Sequence, residues 1–258
     1  MRLYNTKPVS RIILSMLAFF VFCGFYIGLS PHKNLPLETP KLKDGETYLQ
    51  HLAYAFVYDE THEQAKWIAY CLTKKEALGT LERSDQFKED PMVLSGTASN
   101  ADYAKSGFDR GHLAPAADMR WCTQSMDESF YYSNMSPQAP SFNRGIWKKL
   151  EEQVRDWAIS FDSILIVTGP ILEEKLPTIG PNQVSIPKFY YKALLDFKGG
   201  KSKAIAFVLP NEGSKLPLMN FSMSIDELEK MTNIDFFYQL DDAIEQKIES
   251  VHCANCWP

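Results

Sequence analysis

The run GFDRGHLAPAADMRW, residues 107–121, sets Asp109, Arg110, Gly111 and His112 side by side in a stretch with neither helical nor strand period. An unperturbed imidazole titrates near pH 6.5 (about one proton per ring lost by neutrality), so His112 at neutral pH can take a proton from water. Further along, Asn134, Asn143, Glu151 and Arg155 carry polar groups, and Arg83 precedes the run. Asn143, Trp147, Glu151 and Arg155 follow one another at steps of four, which places them along one slowly drifting helical stripe. At about 1.5 Å per residue Glu151 stands about 12 Å along the axis from Asn143. The two cannot hold one ion side by side. A cation held by Asn143 and otherwise hydrated, with Glu151 reaching its water, suits magnesium, which dehydrates reluctantly. A base for water and a cation at the leaving oxygen are the two halves of phosphodiester hydrolysis, and arginine supplies planar donors for phosphate oxygens. Each residue also has a structural use: a satisfied core histidine, an asparagine in a capping region, a solvated Glu–Arg pair. Residue types alone therefore leave a hydrolase as one reading among several.

These groups need a scaffold, and the pattern around them predicts one. LAYAFVYD (52–59) and AKWIAYCLT (65–73) are short aromatic and β-branched runs split by a charged turn, and they read as a hairpin. NRGIWKKLEEQVRDWAIS (143–160) is the clearest helix, with Ser141 as its expected N-cap. SILIVTGPIL, FYYKALLDF and KAIAFVLPN are strand-like, and SIDELEKMTNI and DDAIEQKIESV are helical. Strands with few helices between them predict an α+β domain around a central antiparallel or mixed sheet flanked by helices.

At 258 residues, 45% hydrophobic and 13% aromatic, the chain can bury a large core, which excludes a disordered body. An apolar stretch over 12–29 follows Arg2, Lys7 and Arg11, and no acid occurs before Glu38. Residues 1–30 are thus expected to be a signal peptide or an uncleaved membrane anchor. The lack of an A-x-A-like cleavage site favours an anchor, with the body exported to the periplasm or beyond. Residues 31–46, Pro-rich and polar, read as a linker, 47–251 as the catalytic domain and 252–258 as a cysteine-bearing tail. Beyond residue 30 there are 24 bases against 32 acids. This is the wrong sign for a general grip on nucleic acid, so phosphates must be handled locally. The tail HCANCWP reads as a disulfide or an idle end, because His252, Cys253 and Cys256 lack a visible fourth zinc ligand.

DRGHLAPAADM followed by FYYSNMSPQAPSFNRGIWKKLE resembles the DNA/RNA non-specific endonuclease family. These are the ββα-metal or His-Me finger nucleases, which include secreted bacterial sugar-non-specific nucleases and mitochondrial endonuclease G. WIAY, ERSDQFKEDP, VTGP, IPKFYYKALL and SIDELEKMTNIDFF extend the resemblance to about residues 48–250. It implies a ββα-metal fold and a Mg²⁺-dependent endonuclease, with Mn²⁺ as a substitute, that cuts DNA and RNA to 5′-phosphate ends. By the same resemblance His112 is the general base, Asn143 the direct metal ligand and Glu151 a ligand through water. Arg83 and Arg110 would contact the phosphate, Asn134 would set the position of His112, and Arg155 would be a further substrate-binding position. The reading allows a homodimer and a membrane contact through the N-terminal segment. The alternatives are a phosphodiesterase acting on short substrates and a catalytically silent member that only binds nucleic acid or a partner.

Overall fold

The computed structural model describes residues 35–258, which form one compact unit. The apolar N-terminal segment expected as a signal or anchor lies outside the described residues. Among those described, no helix is long and apolar enough to cross a membrane.

The chain opens with β1 (Tyr48–Gln50), β2 (Ala55–Asp59) and β3 (Gln64–Thr73), then two single-turn helices, α1 (Lys74–Ala77) and α2 (Asn100–Tyr103). Next come β4 (Asp109–His112), α3 (Thr123–Glu128), β5 (Met135–Gln138) and α4 (Lys148–Ser160). The second half carries β6 (Ser163–Pro170), β7 (Thr178–Ile179), β8 (Val184–Ser185), β9 (Phe189–Asp196) and β10 (Lys203–Pro210). It closes with β11 (Ser222–Met223), α5 (Ile225–Thr232) and α6 (Asp242–Glu249). Seven strands make one sheet in the order β1-β2-β3-β6-β9-β10-β11, every neighbouring pair antiparallel. The expected hairpin is β2–β3, with a register shift at Val57/Tyr58.

Alternation along the strands decides what covers each face. Ile68, Tyr70 and Leu72 of β3, Leu194 of β9, and Ile205 and Phe207 of β10 share one core with Leu150, Val154 and Trp157 of α4. Their neighbours Trp67, Ala69, Tyr191, Ala193, Ala204 and Ala206 form a second core with Ile225 and Leu228 of α5 and Ile248 of α6. The sheet is thus buried on both faces, which accounts for strand runs that read as almost continuously apolar.

Three expectations change. The helix expected to run unbroken from Asn143 begins as a wider π-turn over Phe142–Trp147, interrupted at Gly145 (φ −111, ψ −110), and becomes α-helical only at Lys148. Ser141 is itself helical and its side chain caps nothing, so it is not the N-cap. By contrast, Ser224 closes a capping box with Glu227 on α5, as its sequence suggests.

The described part of the expected linker, residues 35–46, and the tail both pack on the domain. Leu37 and Leu42 pack on the second core, Lys41 N–H donates to Asp235 O (2.9 Å), and Gln239 Nε2 donates to Pro36 O (2.7 Å). At the other end Cys253 and Cys256 are disulfide-bonded, which removes both sulfurs as metal ligands. His252 bonds Ser222 Oγ instead (2.8 Å). Trp257 is 2% exposed and stacks edge-on against Trp157 of α4 (ring centroids 5.0 Å), while Trp157 Nε1 donates to Pro258 O (2.7 Å). Lys203 ties the same corner, its Nζ 3.7 Å from the Phe161 ring centre and 2.7 Å from Cys256 O. Because Trp257 fills a position in the core of α4, Trp257→Ala should cost about 3–5 kcal/mol of stability. Urea unfolding followed by circular dichroism measures this, and an unchanged midpoint would contradict the docked tail.

Candidate active site

His112 ends β4, which pairs only with β5, in the register Asp109↔Gln138, Arg110↔Pro137, Gly111↔Ser136, His112↔Met135. The opening motif is therefore a strand of a two-stranded ribbon, which its sequence conceals because Gly111 and Pro137 both sit in the pairing. Gly111 is required by close approach: a Cβ there would overlap the buried Gln138 side chain. The chain after His112 is pinned by Asn134. Its Oδ1 accepts from Ala114 N–H (2.8 Å), and its Nδ2 donates to Ala114 O (2.9 Å) and Ser129 O (2.7 Å). Backbone Leu113 N–H adds a bond to Asn134 O (3.0 Å).

The imidazole of His112 is 8% exposed and lies between two aromatic rings, Phe130 edge-on at 5.0 Å and Phe87 tilted at 5.9 Å. Its Nε2 is buried without a hydrogen-bond partner. Burial, with the nearby Arg83 and Arg110 charges, lowers its pKa to about 3, so the ring is neutral at physiological pH. The same rings seat the two arginines. The Arg83 guanidinium lies 4.8 Å from the Phe130 centre and that of Arg110 4.1 Å from the Phe87 centre. Arg83 also donates to Asp85 (2.5 Å) and Arg110 to Asn100 (2.8 Å). Two cations and a neutral base thus share one aromatic bracket.

Asn143 joins this group through Asp109, at the start of β4. Asp109 accepts from Asn143 Nδ2 (2.9 Å) and from Arg144 Nε and Nη2 (2.8 and 2.6 Å). Burial works against the Asp109 carboxylate, but these bonds outweigh it and hold its pKa below the usual range. With its NH₂ committed, Asn143 has Oδ1 left over, a hard oxygen donor.

Glu151, on the first turn of α4, sits above a buried charge network. Burial raises its pKa above the carboxylate range, the charges of Lys192, Arg155 and Arg83 pull it back, and Asp118 pushes it up further. Asp118 is itself buried, accepting from Tyr70 Oη (2.7 Å) and from Arg155 Nη1 (2.9 Å). Arg155 is therefore turned inward on Asp118, 18% exposed at its side chain, rather than presented to substrate as the resemblance implied. Lys192 is 1% exposed, with Nζ 3.3 Å from Leu113 O, 3.2 Å from Thr168 Oγ1 and 4.5 Å from the Trp147 ring centre. Burial lowers its pKa, and Glu151 and Asp118 raise it back in part. Neither Asp118 nor Lys192 was singled out from sequence. The available signal was a charge inside an otherwise buried run, which must find a partner. Asp90 was missed too. It is buried and takes hydrogen bonds from His51 Nε2 (2.8 Å) and Ser133 Oγ, bracing the loop that carries Asn134.

The Asn143 amide oxygen and the Glu151 carboxylate, which accepts no hydrogen bond among the described residues, are both hard oxygen donors of the class that suits a partly hydrated cation. An unpartnered base flanked by two arginines fits an anionic substrate attacked by water.

A model of the DNA/RNA non-specific endonuclease family matches residues 33–243. The mitochondrial nuclease EXOG of Xenopus laevis is 33% identical over 234 residues, 83% of this chain and 64% of that protein. Nuclease C1 of Cunninghamella echinulata is 35% identical, covering 82% of this chain and 91% of that protein. Human mitochondrial endonuclease G is 34% identical over 71% of this chain and 67% of its own. The chain thus spans somewhat under two thirds of the frog protein's length. Among solved structures, one described as the EndoG/EndoGI complex superposes with a TM-score of 0.72 at 29% identity, covering 80% of this chain and 90% of that one.

Two outcomes follow from the geometry. Asn134→Ala leaves three buried backbone groups unpaired and should cost about 2–4 kcal/mol, read by urea unfolding; a loss under about 0.5 kcal/mol would contradict the pinning. For His112 the folded pKa lies below the unfolded one, so its contribution is fully present above about pH 6.5 and is lost as pH falls toward 3. The stability of wild type relative to His112→Ala should therefore drop by about 1.4 kcal/mol between pH 7.5 and 5.5. A difference independent of pH would show that the ring is solvated.

Proposed function

We infer that this chain, which belongs to the DNA/RNA non-specific endonuclease family, hydrolyses phosphodiester bonds in DNA and RNA without regard to the sugar. The observation that carries this reading is the neutral, unpartnered Nε2 of His112 bracketed by Arg83 and Arg110. In the reaction His112 Nε2 takes a proton from water as the water oxygen bonds to phosphorus. The bond from phosphorus to the 3′ oxygen breaks, and the departing oxygen takes a proton from solvent water, leaving a 3′-hydroxyl and a 5′-phosphate. Arg83 and Arg110 neutralise charge that builds on the non-bridging oxygens, a task suited to planar guanidinium donors. Asn134 holds the backbone that aims His112, and Asp109 turns Asn143 so that Oδ1 faces outward from the pair. Asn143 would hold a magnesium ion directly and Glu151 through water, in the ββα-metal arrangement of a two-stranded ribbon followed by a helix. When bound, the ion supplies Lewis-acid stabilisation at the leaving oxygen, a role Mn²⁺ could also fill. Lys192, Asp118 and Arg155 support Glu151 from below.

Export belongs to the same reading. It is supported by the basic, then apolar start of the chain and by the Cys253–Cys256 disulfide, which an oxidising compartment maintains. A phosphodiesterase acting on short substrates is the second reading, favoured by the excess of acids over bases beyond residue 30.

Plasmid DNA and a structured RNA, each incubated with the protein with and without Mg²⁺, separate these readings. Both should be cut to 5′-phosphate ends with the ion and left intact in excess EDTA. His112→Ala should lose about 10²–10⁴-fold in kcat/KM, and Asn143→Ala should need more Mg²⁺ for half-maximal rate. Cleavage of dinucleotides but not plasmid would favour the second reading. Wild-type rates from His112→Ala would overturn the mechanism.

A further inference from the structure

The face of the sheet away from α4 carries a cluster of acids that the nuclease reading does not use. Asp226 and Glu229 lie three residues apart on α5, on one face of that helix. Glu249 is the last residue of α6, packed beside α5 on the second core. One carboxylate oxygen from each of the three lies within 4.8 Å of the other two. Glu249 is only 3% exposed, and its Oε1 is buried without a hydrogen-bond partner. Glu229 is held in place, its Oε1 accepting from Phe236 N–H (2.8 Å).

Among the described residues no cation pairs with Glu249. Burial acts most strongly against its charged form, and Glu229, Glu245, Asp226 and Asp235, all acidic, add to that effect. Lys41, whose charge acts on the neighbouring Glu245, is largely exposed and bonded to Asp235 (2.9 Å). Glu249 also closes the C-terminal turn of α6, where the helix dipole favours positive charge. Three carboxylates facing one another from two rigid helices, one of them sealed from water, need either shared protons or a positive ion.

We propose that Asp226, Glu229 and Glu249 bind a calcium ion. All three donors are hard oxygens, the class calcium and magnesium take. Calcium sits about 2.3–2.6 Å from its oxygens, so oxygens sharing one ion stand no more than about 4.6–5.2 Å apart, and the three here, all within 4.8 Å of one another, lie inside that reach. Magnesium demands a near-ideal octahedron at about 2.0–2.1 Å and dehydrates reluctantly, so carboxylates fixed on two helices suit the more tolerant calcium better. The ion would bridge α5 to α6 and so lock the layer that covers one face of the sheet. This site is independent of the nuclease reading, since its residues lie on the opposite face from His112 and Glu151.

The test uses the full chain carrying Asn143→Ala, so that binding at the proposed catalytic metal position is removed. Thermal unfolding at pH 7.5 is recorded with 1 mM CaCl₂, with 1 mM MgCl₂ and with EDTA, the metal being roughly 10²-fold over a Kd of about 10⁻⁵ M. Calcium should raise the Tm by about 5 °C over EDTA, more than magnesium does. Adding Glu249→Gln or Asp226→Asn should abolish the rise. Asp226 is half-buried, so if Glu249→Gln does not fold, Asp226→Asn alone decides. No shift with calcium in the Asn143→Ala protein would overturn the proposal, leaving shared protons as the way the carboxylates coexist. A shift that survives Asp226→Asn would overturn it equally, by placing the ion elsewhere.

Discussion

The arrangement around His112 depends on one side chain, the buried amide of Asn134. It exchanges two hydrogen bonds with the backbone of Ala114 and takes a third position on Ser129, reproducing with a side chain the reciprocal pairing of an antiparallel ladder. The ribbon β4–β5 is only four residues long and has no further strand beside it. Such a pair is marginal without outside support. The Asn134 side chain extends it to Ala114, one step past the backbone bond from Leu113 N–H to Asn134 O, where backbone pairing alone would stop. The imidazole can then sit between Phe87 and Phe130 with a nitrogen left unpaired, a cost that only a rigid surround sustains.

A second constraint is electrostatic. Asp118, Glu151, Arg155 and Lys192 carry two charges of each sign in space the sheet and α4 otherwise fill with apolar groups. Removing one member would strand the others, which ties the orientation of Glu151 to residues on β9 and after β4. The proposed polyanionic substrate would need a local answer to the excess of acids over bases beyond residue 30. Arg83 and Arg110 provide a local positive bracket, seated on aromatic rings and independent of the overall charge.

Much of this was legible in the sequence because periodicity reports burial. The hairpin β2–β3, the strands β6, β9 and β10, and the helices α5 and α6 follow their apolar patterns. The sequence also marks His112, Asn134, Asn143 and Glu151 as candidates for the proposed chemistry, and the fold sets Asn134 directly behind His112. What stayed hidden were features that depend on long-range pairing. β4 looks like a loop because its partner β5 lies beyond α3 and contains a proline. The break at Gly145 is invisible to a count of steps of four, so the stripe from Asn143 to Glu151 does not run along one regular helix. Arg155 at helical spacing from Glu151 looks like a surface pair, and only the fold reveals Asp118 beneath it. The docked Trp257 likewise depends on Trp157 and Lys203, far away in the chain.

The central claim is that His112 Nε2 receives the proton of the attacking water. Chemical rescue tests it most directly: His112→Gly assayed on a DNA substrate at saturating Mg²⁺ against rising imidazole. The account predicts a strongly impaired variant whose rate climbs with imidazole and saturates, with no such response in wild type or in Asn143→Ala. A His112→Gly protein that cuts at the wild-type rate without imidazole would contradict it.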